Sequence, residues 1–269
     1  MILNTAADSS LLLEAADVPP VLEENTAGRS PFLLTCDHYG RLIPRALGDL
    51  GLPASELTRH IAWDIGIAGV AGQLSKHLDA HLIAQRYSRL VIDCNRPPCV
   101  ASSIPVLSEA TAVPGNDGLT RAAAQARRQA IFEPYHRRIT EVIDRRLREG
   151  MPTVLVSLHS FTPVYAGVAR PWHVGTLYHR ETRLPPLLLQ LFRGEGDLVV
   201  GDNEPYAVSD ETDYTIPVHA EARGLMNSGI EIRQDLIADH AGERQWADRL
   251  ARIFAEVEAT LITPRASHA

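Results

Sequence analysis

Three apolar runs end in side chains that bind metals, move protons or hold anions: Cys36-Asp37-His38, Asp93-Cys94-Asn95-Arg96 and Leu158-His159-Ser160. If the first and third are neighbouring strands of one sheet, His38 and His159 converge at its carboxyl edge. Two neutral imidazoles and one carboxylate, with a fourth position left for water, make the ligand set of a hydrolytic zinc site. Asp64, at the start of a helical pattern, and Asp37 are the candidate carboxylates. Glu231 alternates with Ile230 and Ile232, so it faces away from both. Beside an activated water it has the chemistry of a general base. The same spacing equally allows a salt bridge to Arg233. Arg89, Asn95 and Arg96 cluster around one strand-like run, and a guanidinium pairs with a carboxylate through two parallel hydrogen bonds. They point to a small acidic substrate, although a surface arginine and a turn-forming asparagine before Pro97 fit the same positions.

Composition narrows the setting. The chain has 269 residues, 45% of them apolar, enough for one large core, and a single domain is expected over 1–269. A formal charge of −7 gives no basic footprint for nucleic acid. Cys36, Cys94 and Cys99 follow no zinc-knuckle spacing and there is no secretory leader pattern, so a reducing cytoplasm is expected. Apolar runs such as Thr153 to Leu158 fall far short of the roughly 20 residues a membrane span requires. The expected molecule is soluble, and the sequence leaves a monomer and a small homo-oligomer equally open.

The elements that must position these residues follow from periodicity. Residues 1–30 show none and read as a surface arm. Pro31 to Cys36, His81 to Arg86, Leu90 to Cys94, Thr153 to Leu158, His173 to Tyr178, Leu198 to Val200 and Gly229 to Arg233 read as strands. Ile65 to Leu78 and Ala241 to Leu261 carry helical apolar stripes, and Ser55 to His60 suits a short helix. Thr120 to Glu149 reads as a long helix bent or broken near Pro134, with Ile131, Ile139 and Ile143 inward. The Pro- and Ser-rich stretch from Pro97 to Asp117 is long for a connection and is expected to lie over the site. Turn-rich segments at 171–173, 201–206 and 217–219 could shape a pocket, with Asn203 and His219 as candidate substrate contacts.

Five segments in this order resemble the N-formylglutamate amidohydrolase family. They are Thr35 to Gly40, His60 to Gly66, Tyr87 to Pro97, Val156 to Phe161 and Ile230 to Asp235. The resemblance runs from about Pro31 to the closing helix, and Ser88-Arg89-Leu90-Val91-Ile92-Asp93-Cys94-Asn95-Arg96-Pro97 is its most specific part. It implies a three-layer α/β/α fold with a mixed, mostly parallel central sheet, like the zinc carboxypeptidases and aspartoacylases. It further implies one Zn2+ per chain on His38 and His159, Glu231 as general base, Asn95 and Arg96 on the substrate carboxylate, and Arg89 assisting the substrate or the oxyanion. Arg89 stands seven residues before Arg96, a spacing similar to that in aspartoacylases.

Two departures stand out. In aspartoacylases and carboxypeptidases a carboxylate ligand follows the first histidine by three residues, but that position is Arg41, which leaves Asp64 as the replacement ligand and Asp37 second. The Trp63-Asp64-Ile65-Gly66 context differs from the enzymes of histidine degradation. The expected activity is therefore zinc-dependent hydrolysis of a small N-formyl or N-acyl acidic amino acid, such as N-formylglutamate. A deacylase or exopeptidase acting on another N-acyl acid, or a non-catalytic small-acid or metal binder, is the alternative.

Overall fold

Every residue from Phe32 to Cys36 is buried, as is every residue from Val154 to Phe161, and these two runs pair in parallel at the centre of the sheet. They belong to a computed structural model that describes residues 12–262. The sheet contains Val21–Glu24 (β1), Phe32–Cys36 (β2), His81–Gln85 (β3), Val154–Phe161 (β4), Val174–Leu177 (β5), Val200–Asp202 (β6) and Met226–Arg233 (β7). Its order is β1-β3-β2-β4-β7-β5-β6. The four central strands β3, β2, β4 and β7 run parallel, β1 is antiparallel to β3, and the β5-β6 pair is antiparallel to β7.

Alternation along the strands separates the two faces. Phe32, Leu34, Val154, Val156, Leu158, Ile230 and Ile232 join one core. They pack with helices Ile67–Leu78 (α1), Leu184–Gly194 (α4) and His240–Val257 (α5). Leu33, Ile83 and Leu155 face the other core with Glu133–Arg148 (α3) and the turn before it. The result is a three-layer α/β/α arrangement around a mixed, mostly parallel sheet. Ser157 and His159 continue the Leu155 face of β4, and Glu231 lies beside His159 on the matching face of β7.

Several elements differ from the sequence reading. Leu90 to Cys94 is buried but forms turns instead of a strand. The Ser88 hydroxyl accepts from Leu90 N, and Val91 N bonds the Ser88 carbonyl, so the chain folds back after β3. Part of the expected arm is an edge strand, β1, while residues 1–11 lie outside the described residues. The long helix is divided as expected near Pro134: Arg121–Arg127 (α2) passes through a wide turn, Arg128–Phe132, into α3. Among the described residues no helix is long and apolar enough to cross a membrane.

Candidate metal centre and catalytic cavity

The carboxyl ends of β2, β4 and β7 open into a cavity of about 530 Å³. His38, Asp64, Arg89, Asp93, His159 and Glu231 line it together with Asn95 and Arg96. Ser102, Pro105, Leu107, Ser108 and Glu109, from the long stretch after Pro97, form part of its wall.

Backbone placement of the centre is local and simple. His38 leaves β2 two residues after Cys36, and its carbonyl accepts from Asp64 N at 3.0 Å, which ties the two segments together. Gly66 then turns the chain into α1 at φ +79°, a conformation suited to glycine. A Cβ there would also stand 2.0 Å from the Ile237 carbonyl oxygen.

The imidazoles are oriented by carboxylates on their outer nitrogens. His38 Nε2 lies 2.8 Å from Asp93 Oδ1, and His159 Nε2 lies 3.3 Å from Asp37 Oδ2 and 3.0 Å from Ser157 Oγ. Asp37 is fixed in turn by the Thr215 hydroxyl at 2.7 Å. Both inner Nδ1 atoms therefore face one atom, Asp64 Oδ2, at 3.4 Å from His38 and 3.0 Å from His159. His38 Nδ1 is buried and makes no aligned hydrogen bond. These three residues offer ligand atoms all within 4.8 Å of one another, the spacing of a metal centre. Asp64 faces both histidines from the cavity side, whereas Asp37 stands behind His159, so the carboxylate suited to this centre is Asp64. Arg41, at the position of the missing ligand, stacks its guanidinium 5.2 Å above the Trp63 ring.

Charge is concentrated here. Asp37, Asp64, Asp93 and Glu231 are all buried, with Arg89 as the guanidinium bonded among them. Burial opposes ionisation of Asp64, but the neighbouring His38 and His159 outweigh it and hold its carboxyl well below the usual range. Glu231 goes the other way: burial, reinforced by the negative charge of Asp64, pushes it up to about 7. Its Oε2 is buried without a partner. Arg233 pairs with Asp235 at 2.8 Å, so the alternative salt bridge to Glu231 is not formed.

The other predicted residues divide into two groups. Arg89 donates to Asp93 Oδ2 from Nε and Nη2, and its Nη1 reaches Asp64 Oδ1 at 3.4 Å. Asn95 uses its oxygen to accept from the backbone amides of Tyr214 and Thr215 and donates to Asp213 Oδ1. Arg96 bonds the carbonyls of Asn95 and Thr212 and lies 4.0 Å from Asp213. Asn203 and His219 do not line this cavity. Asn203 occupies a left-handed turn at φ +53° and accepts from Tyr178 N. His219 is buried against His136 and so is removed from the proposed substrate contacts. Within the turn-rich segment 201–206, Tyr206 reaches the cavity. Asp37, the second candidate ligand from the sequence, instead supports His159 from behind, while the roles of Asp93 and Asp213 were not foreseen; for Asp93 its place inside the Arg89 to Arg96 motif was the available signal.

The family model for N-formylglutamate amidohydrolase matches residues 30–238, most of the chain and all of the segments that build this centre. The chain belongs to the N-formylglutamate amidohydrolase family. A relative, the N-formylglutamate deformylase of Pseudomonas putida, is 25% identical over 208 residues, 73% of each chain. The solved structure of a gene product from Agrobacterium tumefaciens is 40% identical with a TM-score of 0.89, covering 92% of this chain and 98% of that one. An N-formylglutamate amidohydrolase from Ralstonia eutropha shares the fold at 18% identity and a TM-score of 0.67, covering 90% of this chain and 98% of the other.

Proposed function

We propose that this family member is a zinc-dependent amidohydrolase that releases formate from a small N-formyl acidic amino acid such as N-formylglutamate. The observation that carries the metal is the meeting of two Nδ1 atoms on one Asp64 oxygen while Asp93 and Asp37 hold the opposite ring nitrogens. Carboxylates on the outer nitrogens are the usual support of metal-ligating histidines. His38, Asp64 and His159 would hold the ion. Bound there, it supplies Lewis acidity, polarising an amide carbonyl and acidifying a water toward a pKa of about 7.

The chain's own groups supply the proton traffic. Glu231, raised to about 7 by burial, is basic enough to take a proton from the attacking water and acidic enough to return it to the leaving nitrogen. Arg89 lines the same cavity and keeps its charge, so it can stabilise the oxygen that becomes negative as the carbonyl is attacked. Arg96 offers its remaining donors to a substrate carboxylate. Asn95 holds the 213–215 segment in place beside it. Water and amide thus give formate and a free amino acid, with Glu231 returned to its starting state.

The test is formate release from N-formylglutamate by protein whose metal content has been counted, beside His159→Ala. One bound metal with activity lost in the variant is the expected result. Metal without formate release would move the search to other acyl groups, and loss of neither metal nor activity in His159→Ala would remove the proposed centre.

A further inference from the structure

Beyond His159 the chain makes an exposed hairpin, Val164–Tyr165 against Val168–Ala169, closed at its base by Arg170 N bonding the Pro163 carbonyl at 2.8 Å. The Arg170 guanidinium does not follow the hairpin into solvent. Its carbon lies 4.6 Å from the centre of the Tyr165 ring and 4.8 Å from that of Tyr206, so the cation is held by both aromatic rings. Nη1 donates to the Tyr206 oxygen at 2.8 Å.

Two features make this cluster more than a hairpin fastening. Tyr165 and Tyr206 line the same cavity as Glu231 and the metal centre. Arg170 stands behind these rings, outside the cavity lining, and its guanidinium lacks what the arginines of the cavity have. Arg89 is paired with Asp93, and Arg96 lies near Asp213, but among the described residues no carboxylate comes within 4 Å of Arg170. A half-buried, ordered cation without an anion has already lost part of its rotamer freedom and hydration, which favours an anion brought by a ligand. Because Arg170 fills a lone pair of the Tyr206 oxygen, the phenolic proton is left to donate elsewhere.

We propose that Tyr206, oriented and polarised by Arg170, forms an outer anion subsite that reads a second carboxylate on the amino acid part of the substrate. This rests on the amidohydrolase reading and adds to it: Arg96 takes one carboxylate, Tyr206 with Arg170 the other, and a dicarboxylic amino acid is preferred over its side-chain amide. Tyr206 is the contact group, and Arg170 is a positioning residue that acts through it.

The experiment compares zinc-loaded wild type, Tyr206→Phe, Arg170→Met and Arg170→Lys on N-formyl-L-glutamate and N-formyl-L-glutamine, two substrates that differ only in the outer charge. Calorimetric binding of L-glutamate and L-glutamine runs beside the kinetics and requires no turnover. Wild type should favour the glutamate member of each pair. Loss of a charge-assisted hydrogen bond should cut that preference by about ten- to a hundredfold in Tyr206→Phe and Arg170→Met, through KM more than kcat, with Arg170→Lys between. Tyr206→Phe deletes one oxygen and keeps the ring, so it tests the subsite even where Arg170→Met loosens the hairpin. A wild type that does not distinguish the two acids, or variants that keep the wild-type ratio, would overturn the subsite. Absence of turnover with Tyr206-dependent binding of L-glutamate would sink the activity and support the subsite, so the two readings fail separately.

Discussion

Glu231 stands beside His159 in the parallel register of β7 on β4, with their side chains on the same face of the sheet. Two facts make this pairing chemical as well as structural. Glu231 is buried with one carboxyl oxygen unpartnered, and burial raises its pKa to about 7. Gly175 faces it across the antiparallel β5, where a Cβ would stand 1.9 Å from the Glu204 carbonyl oxygen. Glu231 is therefore enclosed between a histidine of the centre and a backbone segment that leads to Tyr206.

Glu231→Gln keeps the shape and removes the base. Since Glu231 is not one of the three residues grouped as ligands, metal content should stay at the wild-type value. The rate of formate release should fall by about a hundred- to ten-thousandfold. Metal stoichiometry and kcat on one preparation check both halves, and an active, metal-loaded variant would exclude Glu231 from proton transfer.

Much of the sheet was legible because its central strands are continuous apolar runs, and the face of Glu231 followed from Ile230 and Ile232 alone. The failures share a different cause. Leu90 to Cys94 has the composition of a strand, yet the Ser88 side chain bonds Leu90 N and sets a turn, a local competition that hydrophobicity does not encode. Asp37 and Asp64 are both carboxylates beside motif residues, and their roles separate only when the ring orientations of His38 and His159 are known. Asn95 meets Asp213 across 118 positions, and His219 meets His136 across 83, contacts that leave no local pattern. Arg170 carried no motif at all; its place between two tyrosines is a product of the tertiary fold.

Asp93 couples His38 to Arg89, accepting from the ring on one oxygen and from the guanidinium on the other. Asp93→Asn leaves the size but removes the charge that fixes the ring and balances Arg89. Metal affinity should fall by about ten- to a hundredfold, the usual cost of losing such an outer partner. Competition with a chelator of known affinity measures it, and an unchanged affinity would mean that His38 is oriented by packing alone.

Gly66 separates the ligand candidate Asp64 from α1 at a positive φ, with the Ile237 carbonyl too close for a side chain. Gly66→Ala should lower stability by about 1–3 kcal/mol. Gly194, at the end of α4, has no positive φ and open space where an added Cβ would lie, so Gly194→Ala serves as the unstrained control, with stability unchanged or slightly raised. Urea unfolding of the two variants separates backbone strain from the general effect of replacing glycine; equal stabilities would show that the turn at Gly66 relaxes freely.

His136 and His219 form a directed chain far from solvent. The Cys94 carbonyl can only accept, so His136 Nε2 carries a proton and donates to it at 2.8 Å. With both rings neutral, His136 Nδ1 then accepts from His219 Nε2 at 2.9 Å, and His219 Nδ1 accepts the Thr140 hydroxyl at 3.4 Å. Protonating either ring breaks this order, and burial holds the two at about 4 and about 3. An unfolded histidine titrates near a pKa of about 6.5. The unfolded chain therefore takes up these protons first as pH falls, so the stabilisation is complete above about 6.5 and declines as pH drops toward about 4. His219→Gln keeps a donor for His136 and removes one titrating ring. Its melting temperature should fall less steeply than that of wild type between about pH 6.5 and 4, and parallel curves would show that His219 does not take up a proton on unfolding.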